Sequence, residues 1–280
     1  MDLATVNDIG LWHWPVGLHF VLSAMVGGLI GLGGLAHLLN KKSLAHAAIF
    51  TSIPVLALDL LALWLDLTSR WHVFWLFLNF RVTSAISWGS WSLLLSGVVA
   101  VIYIAAFIGF IRPPEKVENW LASALILLSL AVTSYTGAMF STSSAARPLW
   151  ASMILAPMFF ASALAMAGGF MEIFNAGDKI PSWVLAVSTL AAAVMLGFYI
   201  GELYAGTYLV RGGLYNLLHN YGLLWWLTVG LGFGVPSIMG TWWLLTQRRR
   251  VWGTTKIIGL LSLFGGVGLR FVLLMAGQGH

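Results

Sequence analysis

The side chains that could do chemistry in this sequence are few, and most of them interrupt long apolar stretches. They are three acids, two histidines, two arginines and one tyrosine: Asp59, Asp66, Glu202, His19, His72, Arg70, Arg270 and Tyr135. Carboxylates, imidazoles and phenols transfer protons, whereas arginine holds a fixed positive charge. An ionisable side chain at membrane depth usually faces a bundle interior or a cavity. The set therefore indicates proton transfer and the binding of a polar head group.

The composition places these residues in a membrane. The chain has 280 residues, of which 60% are hydrophobic and only 8% are charged, whereas soluble domains carry about 25% charged residues. Long apolar runs, rather than strands of alternating polarity, predict a helical bundle. The net charge of +5 comes from loop residues and sets topology, so no nucleic-acid partner is expected. The absence of cysteine excludes disulfides and iron–sulfur ligation by this chain.

Eight apolar stretches are long enough to cross a bilayer, which needs about 20 residues. They predict an all-α integral membrane protein with spans at residues 14–39, 45–66, 87–111, 120–140, 149–174, 182–206, 220–245 and 256–276. The chain is one membrane domain, 1–280, and residues 67–86 form an interfacial loop or helix. Residues 24–28 (AMVGG) and 165–169 (AMAGG) echo one another. This echo suits two four-helix halves, about 1–141 and 142–280.

Basic residues predict the orientation of the spans. The loops after the first, third, fifth and seventh spans hold Lys41, Lys42, Arg112, Lys116, Lys179, Arg248, Arg249, Arg250 and Lys256. The opposite side holds Arg70, Arg81, Arg147 and Arg211. The positive-inside rule makes the first side cytoplasmic, so both termini lie on the outer face. The N-terminus lacks the basic region and cleavage site of a signal peptide. His19, Asp59, Tyr135, Glu202 and Arg270 then lie in the outer half of the membrane.

Structural roles for the same residues stay open at this point. Asp66 and Arg70 are four residues apart and can form an interfacial ion pair. His19 can bond a buried carbonyl, Tyr135 can be an interfacial aromatic, and Arg270 can snorkel or pair with Glu202 or an aspartate. No two histidines on different spans share a depth in the apolar core, which favours a chain without haem. No metal site is predicted.

Several short motifs, in their order along the chain, resemble the NrfD/PsrC family, the membrane subunits of polysulfide reductase and related respiratory complexes. The motifs are Leu65-Asp66-Leu67 with Arg70, Ser87-Trp88-Gly89, Tyr135-Thr136-Gly137, Pro148-Leu149-Trp150, and Leu269-Arg270 through Gly277-Gln278. The resemblance implies two four-helix bundles, no haem or iron–sulfur cluster in this chain, and a site for menaquinone or another quinone near the outer face. It also implies a prokaryotic cytoplasmic membrane. The partners are a four-cluster ferredoxin-type iron–sulfur subunit and a molybdopterin catalytic subunit or a multihaem cytochrome.

The same resemblance assigns roles to individual residues. Tyr135 matches a tyrosine that holds the quinone, and His19 is the counterpart of a quinone-binding residue on the first helix. Pro15 departs from the family, which has an asparagine one turn before the histidine. The quinone site is predicted to comprise His19, Tyr135, Asp66, Arg70, His72 and Arg270, and proton transfer is assigned to Asp59, Asp66 and Glu202. These assignments make the chain the subunit for quinol oxidation or quinone reduction.

Two other functions fit the sequence. The repeat echo and the acids inside the spans also suit a secondary transporter or a proton-translocating module. The histidines leave open an anchor that binds haem b. Neither the terminal substrate nor the direction of electron flow follows from this chain, because both belong to the partner subunits.

Overall fold

The described residues fold entirely as helices and their connections. The structure is a computed structural model, and it describes residues 14–66, 75–142, 147–174, 179–246 and 252–278. These residues form α1 (Trp14–Leu38), α2 (Lys42–Asp66), α3 (Trp75–Leu78), α4 (Ala85–Phe107), α5 (Glu115–Thr142), α6 (Leu155–Phe174), α7 (Ile180–Ala205), α8 (Tyr208–Asn220), α9 (Gly222–Leu227), α10 (Val235–Thr246) and α11 (Trp252–Gln278). A short 3-10 helix, Pro148–Trp150, precedes α6, and a π-helical segment, Thr228–Gly234, joins α9 to α10.

Eight helical stretches are long and apolar enough to cross a membrane, which confirms the predicted all-α membrane fold. Seven of these spans are single helices, and the eighth, Gly222–Thr246, combines α9, the π-helical segment and α10. Pro236 lies just after the π-helical segment. Proline lacks the amide hydrogen that would continue the regular ladder, so a local change of helix type is expected there.

One helix was not predicted. Residues 207–219 read as a loop between two spans, but Tyr208–Asn220 form the amphipathic helix α8. Leu214 and Leu217 are buried against the second half of the chain, whereas Tyr208 and Tyr215 are exposed. The segment is too short to cross a bilayer.

The helix α1 is the centre of the molecule. It packs against α2 and α5 in its own half and against α6 of the second half. In its most apolar stretch of 18 residues, 89% of the residues are buried. Close approach depends on small residues, since a Cβ added to Gly28 would clash with the carbonyl of Ala163 on α6. In the first half α2 and α5 also contact α4, and in the second half α6 contacts α7 and α11.

The alternation of the spans gives the bundle two ends. We call the end where α1 begins and α2, α5, α7 and α11 finish the His19 end. The opposite end, where α1 finishes, is the His37 end. The 3-10 helix and α8 lie at the His19 end, because each follows a span that finishes there. The placement of the His19 end on the outer side of the membrane stays a prediction.

Candidate functional site

Three of the predicted residues form one hydrogen-bonded chain near the His19 end. His19 of α1 lies between the other two: its Nδ1 is 2.7 Å from Oδ1 of Asp59 on α2, and its Nε2 is 2.5 Å from the hydroxyl of Tyr135 on α5. The exposed fractions are 5% for His19, 0% for Asp59 and 7% for Tyr135. Three helices therefore converge on one buried chain of a phenol, an imidazole and a carboxylate.

The ionisation of Asp59 sets the direction of the hydrogen bonds. When its carboxylate is ionised it only accepts, so the Nδ1–H of His19 donates to Asp59. Nε2 is then free to accept the hydroxyl proton of Tyr135. Oδ2 of Asp59 has no hydrogen-bond partner among the described residues. A base oriented by a carboxylate and bonded to a hydroxyl is the arrangement that withdraws a proton from that hydroxyl.

Tyr135 lines a large apolar cleft. Its volume is about 750 Å³. It lies between one face of α4 and one face of α5, and its described lining is Phe80, Ala85, Trp88, Trp91, Ser92, Leu95, Leu128, Ala131, Ser134, Tyr135, Ala138 and Ala156. His19 and Asp59 are not among these residues. Tyr135 therefore stands between the cleft and the rest of the hydrogen-bonded chain.

The cleft lies at the perimeter of the bundle. Trp88 is 52% exposed, Leu95 45% and Phe80 42%. Exposed apolar side chains on a membrane-spanning helix face lipid, so the cleft opens toward the bilayer. Tyr135 is the one ionisable side chain in its described lining. An apolar molecule can therefore enter from the membrane and contact this tyrosine.

The ring of Tyr135 packs closely against the backbone of Gly89 on α4. A Cβ added at this glycine would lie 2.5 Å from both Cδ2 and Cε2 of Tyr135, well inside van der Waals contact. Only a residue without a side chain lets the α4 backbone support the ring at this distance. The motif Ser87-Trp88-Gly89, used above for the family resemblance, thus has a physical role beside the cleft.

Arg270 is fully buried in the second half of the chain and bonds only neutral groups. Its Nη1 donates to Oγ of Ser162 at 3.0 Å and to the carbonyl of Gly266 at 2.9 Å, and Nη2 donates to the carbonyl of Phe159 at 3.1 Å. The guanidinium carbon lies 4.9 Å from the centre of the Phe159 ring. No acid in the described part of the chain forms an ion pair with it. Among the described residues, backbone and hydroxyl oxygens surround Arg270 where the sequence also allowed Glu202 or an aspartate.

Glu202 stands apart from the buried chain, and three other predicted residues have side chains outside the described residues. The carboxylate of Glu202 is exposed on α7, and its Oε2 accepts a hydrogen bond from Oγ of Ser152 at 2.6 Å. Asp66 is the last residue of α2. Its side chain, together with Arg70 and His72, lies outside the described residues. The roles given to these four residues stay predictions.

A second histidine–tyrosine pair lies at the His37 end. Nδ1 of His37 is 2.7 Å from the hydroxyl of Tyr103 on α4, and its Nε2 is 3.1 Å from Oδ1 of Asn119 on α5. The ring of His46 stacks on Phe107 at 3.5 Å between centroids. This cluster was not predicted. The available signal was a tyrosine and an asparagine that lie near the same ends of neighbouring spans as His37.

A polar groove of about 420 Å³ also lies at the His19 end, over the second half. Its described lining is Arg147, Pro148, Leu149, Leu209, Gly212, Gly213, Asn216, Ala276, Gly277 and Gln278. The guanidinium carbon of Arg147 lies 4.9 Å from the centre of the Trp150 ring. Partial burial lowers the pKa of Arg147 from its ordinary value. The ordinary pKa of arginine is so high that the side chain stays cationic at neutral pH. The groove therefore carries a positive charge.

Fold and site together define a class of protein. It is an eight-span helical membrane protein with an apolar, lipid-facing cleft beside a buried chain of hydrogen-bonded ionisable side chains. A family model described as polysulfide reductase, of the NrfD type, matches residues 4–280. The chain belongs to this family, as the resemblance predicted, and is a multi-pass membrane anchor of a respiratory oxidoreductase. No curated protein matches the sequence. The described residues hold no group of three or more side chains arranged to bind a metal.

Proposed function

We propose that this chain binds menaquinone or another membrane quinone in the cleft between α4 and α5, and exchanges electrons with a peripheral iron–sulfur subunit. One observation carries the proposal. Tyr135 lines the apolar cleft, and its hydroxyl is bonded to the buried pair of His19 and Asp59. The cleft thus joins a lipid-facing entrance to a proton acceptor.

The shape and chemistry of the cleft suit a quinone. A quinone combines an apolar ring and tail with two carbonyl oxygens. Small-molecule sites have volumes of about 300–1,000 Å³, mostly apolar walls and few polar groups. This cleft has a volume of about 750 Å³, and its lining combines aromatic and aliphatic side chains with the phenol of Tyr135. The lipid-facing entrance suits a molecule that arrives through the bilayer.

The side chains of this site handle the protons. Bound quinol supplies two electrons and two protons on oxidation. Oη of Tyr135 accepts a proton while its own proton passes to Nε2 of His19. The Asp59 carboxylate then stabilises the positive imidazolium through Nδ1–H. In quinone reduction the same chain runs in reverse, and His19 returns the proton through Tyr135. Each passage moves one proton, so oxidation of one quinol takes two passages. Between them His19 must release the first proton toward the outer surface, the transfer role proposed for Asp59, Asp66 and Glu202.

The electrons pass to other subunits. The chain contains no cysteine and therefore cannot ligate an iron–sulfur cluster through thiolates. The proposed acceptor or donor is a four-cluster ferredoxin-type subunit docked at the His19 end, which connects to a molybdopterin enzyme or a multihaem cytochrome. The NrfD family supports this assignment. The proposed location is a prokaryotic cytoplasmic membrane, with the His19 end outside.

The variants Tyr135→Phe and His19→Ala test the site. We expect quinol oxidation by the assembled complex in membranes to fall by about a hundredfold or more, which is the usual contribution of a positioned acid or base. Assembly of the complex should not change.

The matched control is Tyr199→Phe in the second half. Tyr199 is also fully buried, and its hydroxyl donates to the carbonyl of Leu149 at 2.6 Å. This control should retain its quinol turnover, since the lost bond lies outside the cleft. Normal turnover in both Tyr135→Phe and His19→Ala would remove the site assignment.

A further inference from the structure

We propose that the indole N–H of Trp91 is a second ligand-binding donor, which bonds the quinone carbonyl opposite the one bound by Tyr135. This inference rests on the proposed function. Trp91 lies on α4 in the wall of the cleft. Its Nε1 has almost no accessible surface and no hydrogen-bond partner among the described residues, so the indole must turn for this donor to meet a ligand in the cleft.

An unpaired indole N–H inside a membrane protein requires an explanation. The indole nitrogen can only donate, and buried tryptophans usually have an acceptor. The hydrocarbon core of a bilayer offers no water to replace a missing partner. Among the described buried polar side-chain atoms without a partner, Nε1 of Trp91 is the one whose side chain lines the cleft. A carbonyl oxygen of a bound ligand is the acceptor that completes it.

Trp88 shows the difference on the same helix face. Trp88 precedes Trp91 by one turn and also lines the cleft, but its Nε1–H donates to the carbonyl of Val82 at 2.7 Å. The ring of Phe80 stands edge-on to both indoles, with interplanar angles of 79° to Trp88 and 88° to Trp91. One phenylalanine therefore packs against both indoles. The N–H of Trp88 has an acceptor, whereas that of Trp91 has none among the described residues.

The ligand chemistry fits a second donor. The two carbonyl oxygens of a quinone lie on opposite sides of its ring, so one hydroxyl cannot serve both. The Ser92 hydroxyl bonds the backbone carbonyls of Trp88 and Gly89 within its own helix. Besides Tyr135, Trp91 and the already bonded Trp88 and Ser92, the described lining contains one further hydrogen-bonding side chain, Ser134. Trp91 and Ser134 are therefore the two candidates, and the unpaired buried donor favours Trp91.

The experiment uses the assembled complex in nanodiscs with menaquinone-4 as the probe. Infrared difference spectra report the two carbonyl stretching bands of the bound quinone, because each hydrogen bond lowers the frequency of its own carbonyl. The variants are Trp91→Phe, Tyr135→Phe, Ser134→Ala and the matched control Trp150→Phe. Affinity is measured for the same probe, and thermal stability is measured without it.

We expect Trp91→Phe to raise the frequency of one carbonyl band and Tyr135→Phe to raise that of the other. Trp91→Phe should weaken menaquinone-4 binding about fivefold to tenfold, the value of one lost hydrogen bond. Without quinone this variant should melt no lower than the wild type, since it loses an unpaired donor. Trp150→Phe should leave both bands unchanged while it lowers the melting temperature, because the indole of Trp150 lies outside the cleft and donates to the carbonyl of Leu273.

Two results would overturn the inference in distinguishable ways. Unchanged bands and affinity in Trp91→Phe, with a shifted band in Tyr135→Phe or Ser134→Ala, would remove Trp91 from the site and leave the proposed function intact. If the wild-type complex binds no menaquinone-4, the proposed function and this inference both fail.

Discussion

The substitution Gly89→Ala tests whether the position of the Tyr135 ring controls the reaction. The new Cβ would lie 2.5 Å from two ring carbons of Tyr135, whereas ordinary contact begins at 3.4 Å. The ring must therefore retreat by about 0.9 Å. Tyr135 is buried between α4 and α1, and its hydroxyl is already 2.5 Å from Nε2 of His19. A shift of this size spoils the alignment of that bond.

The expected effect follows from this displacement. Misplacement of a reacting group by about 1 Å costs about a hundredfold in rate, so we expect quinol turnover to fall by about that factor. Extra atoms in a packed core also destabilise a protein by about 1–3 kcal/mol. The melting temperature of the complex in detergent must therefore be measured beside stopped-flow quinol oxidation.

The matched control for this prediction is Gly197→Ala on α7. A Cβ added at Gly197 meets nothing within 4 Å. This variant makes the same chemical change in a membrane helix without a clash, and it should retain wild-type turnover. The reasoning is refuted if assembled Gly89→Ala turns over quinol within twofold of the wild type while Tyr135→Phe is impaired.

Two further substitutions test the charges inside the bundle. Asp59→Asn should lower quinol turnover about a hundredfold with little change in quinone affinity, because His19 loses the carboxylate that orients and stabilises its imidazolium; unchanged turnover in stopped-flow oxidation would contradict the proton chain. Arg270→Lys keeps the charge but loses the planar fork that reaches Ser162 and the Phe159 carbonyl together, so the free energy of unfolding should fall by about 2 kcal/mol. Thermal melting in detergent measures this effect, and an unchanged melting temperature would show that the fork is unimportant.

Much of the site was predictable because depth follows from position along a membrane helix. His19 lies near the start of its span, and Asp59 and Tyr135 lie near the ends of theirs, so alternating spans place all three at one depth. Which of them meet depends on the rotation of each helix, and a span that is apolar on all sides does not encode this rotation. The sequence therefore predicted two parallel donors, whereas the structure has Tyr135 in the cleft wall and His19 behind it.

The cleft also corresponds to a pattern in the sequence from which it could have been predicted. The α4 residues in its wall, Trp88, Trp91, Ser92 and Leu95, follow helical spacing on one face. The contacts of Arg270 depend on packing that the sequence does not encode. Sequence identifies acids as natural partners of a buried cation, but it does not show which backbone carbonyls a guanidinium reaches. In this fold Phe159 and Gly266 supply them.

The contacts of Arg270 also bear on how the protein is made. An arginine near the middle of a single helix opposes insertion into the bilayer by about 2.5–3.5 kcal/mol on the scale of the insertion machinery. The groups outside α11 that bond Arg270 all belong to α6, and α6 is synthesised well before α11. We therefore expect α11 to enter the membrane against an α6 that is already in place, which makes the fifth span a template for the eighth during biogenesis.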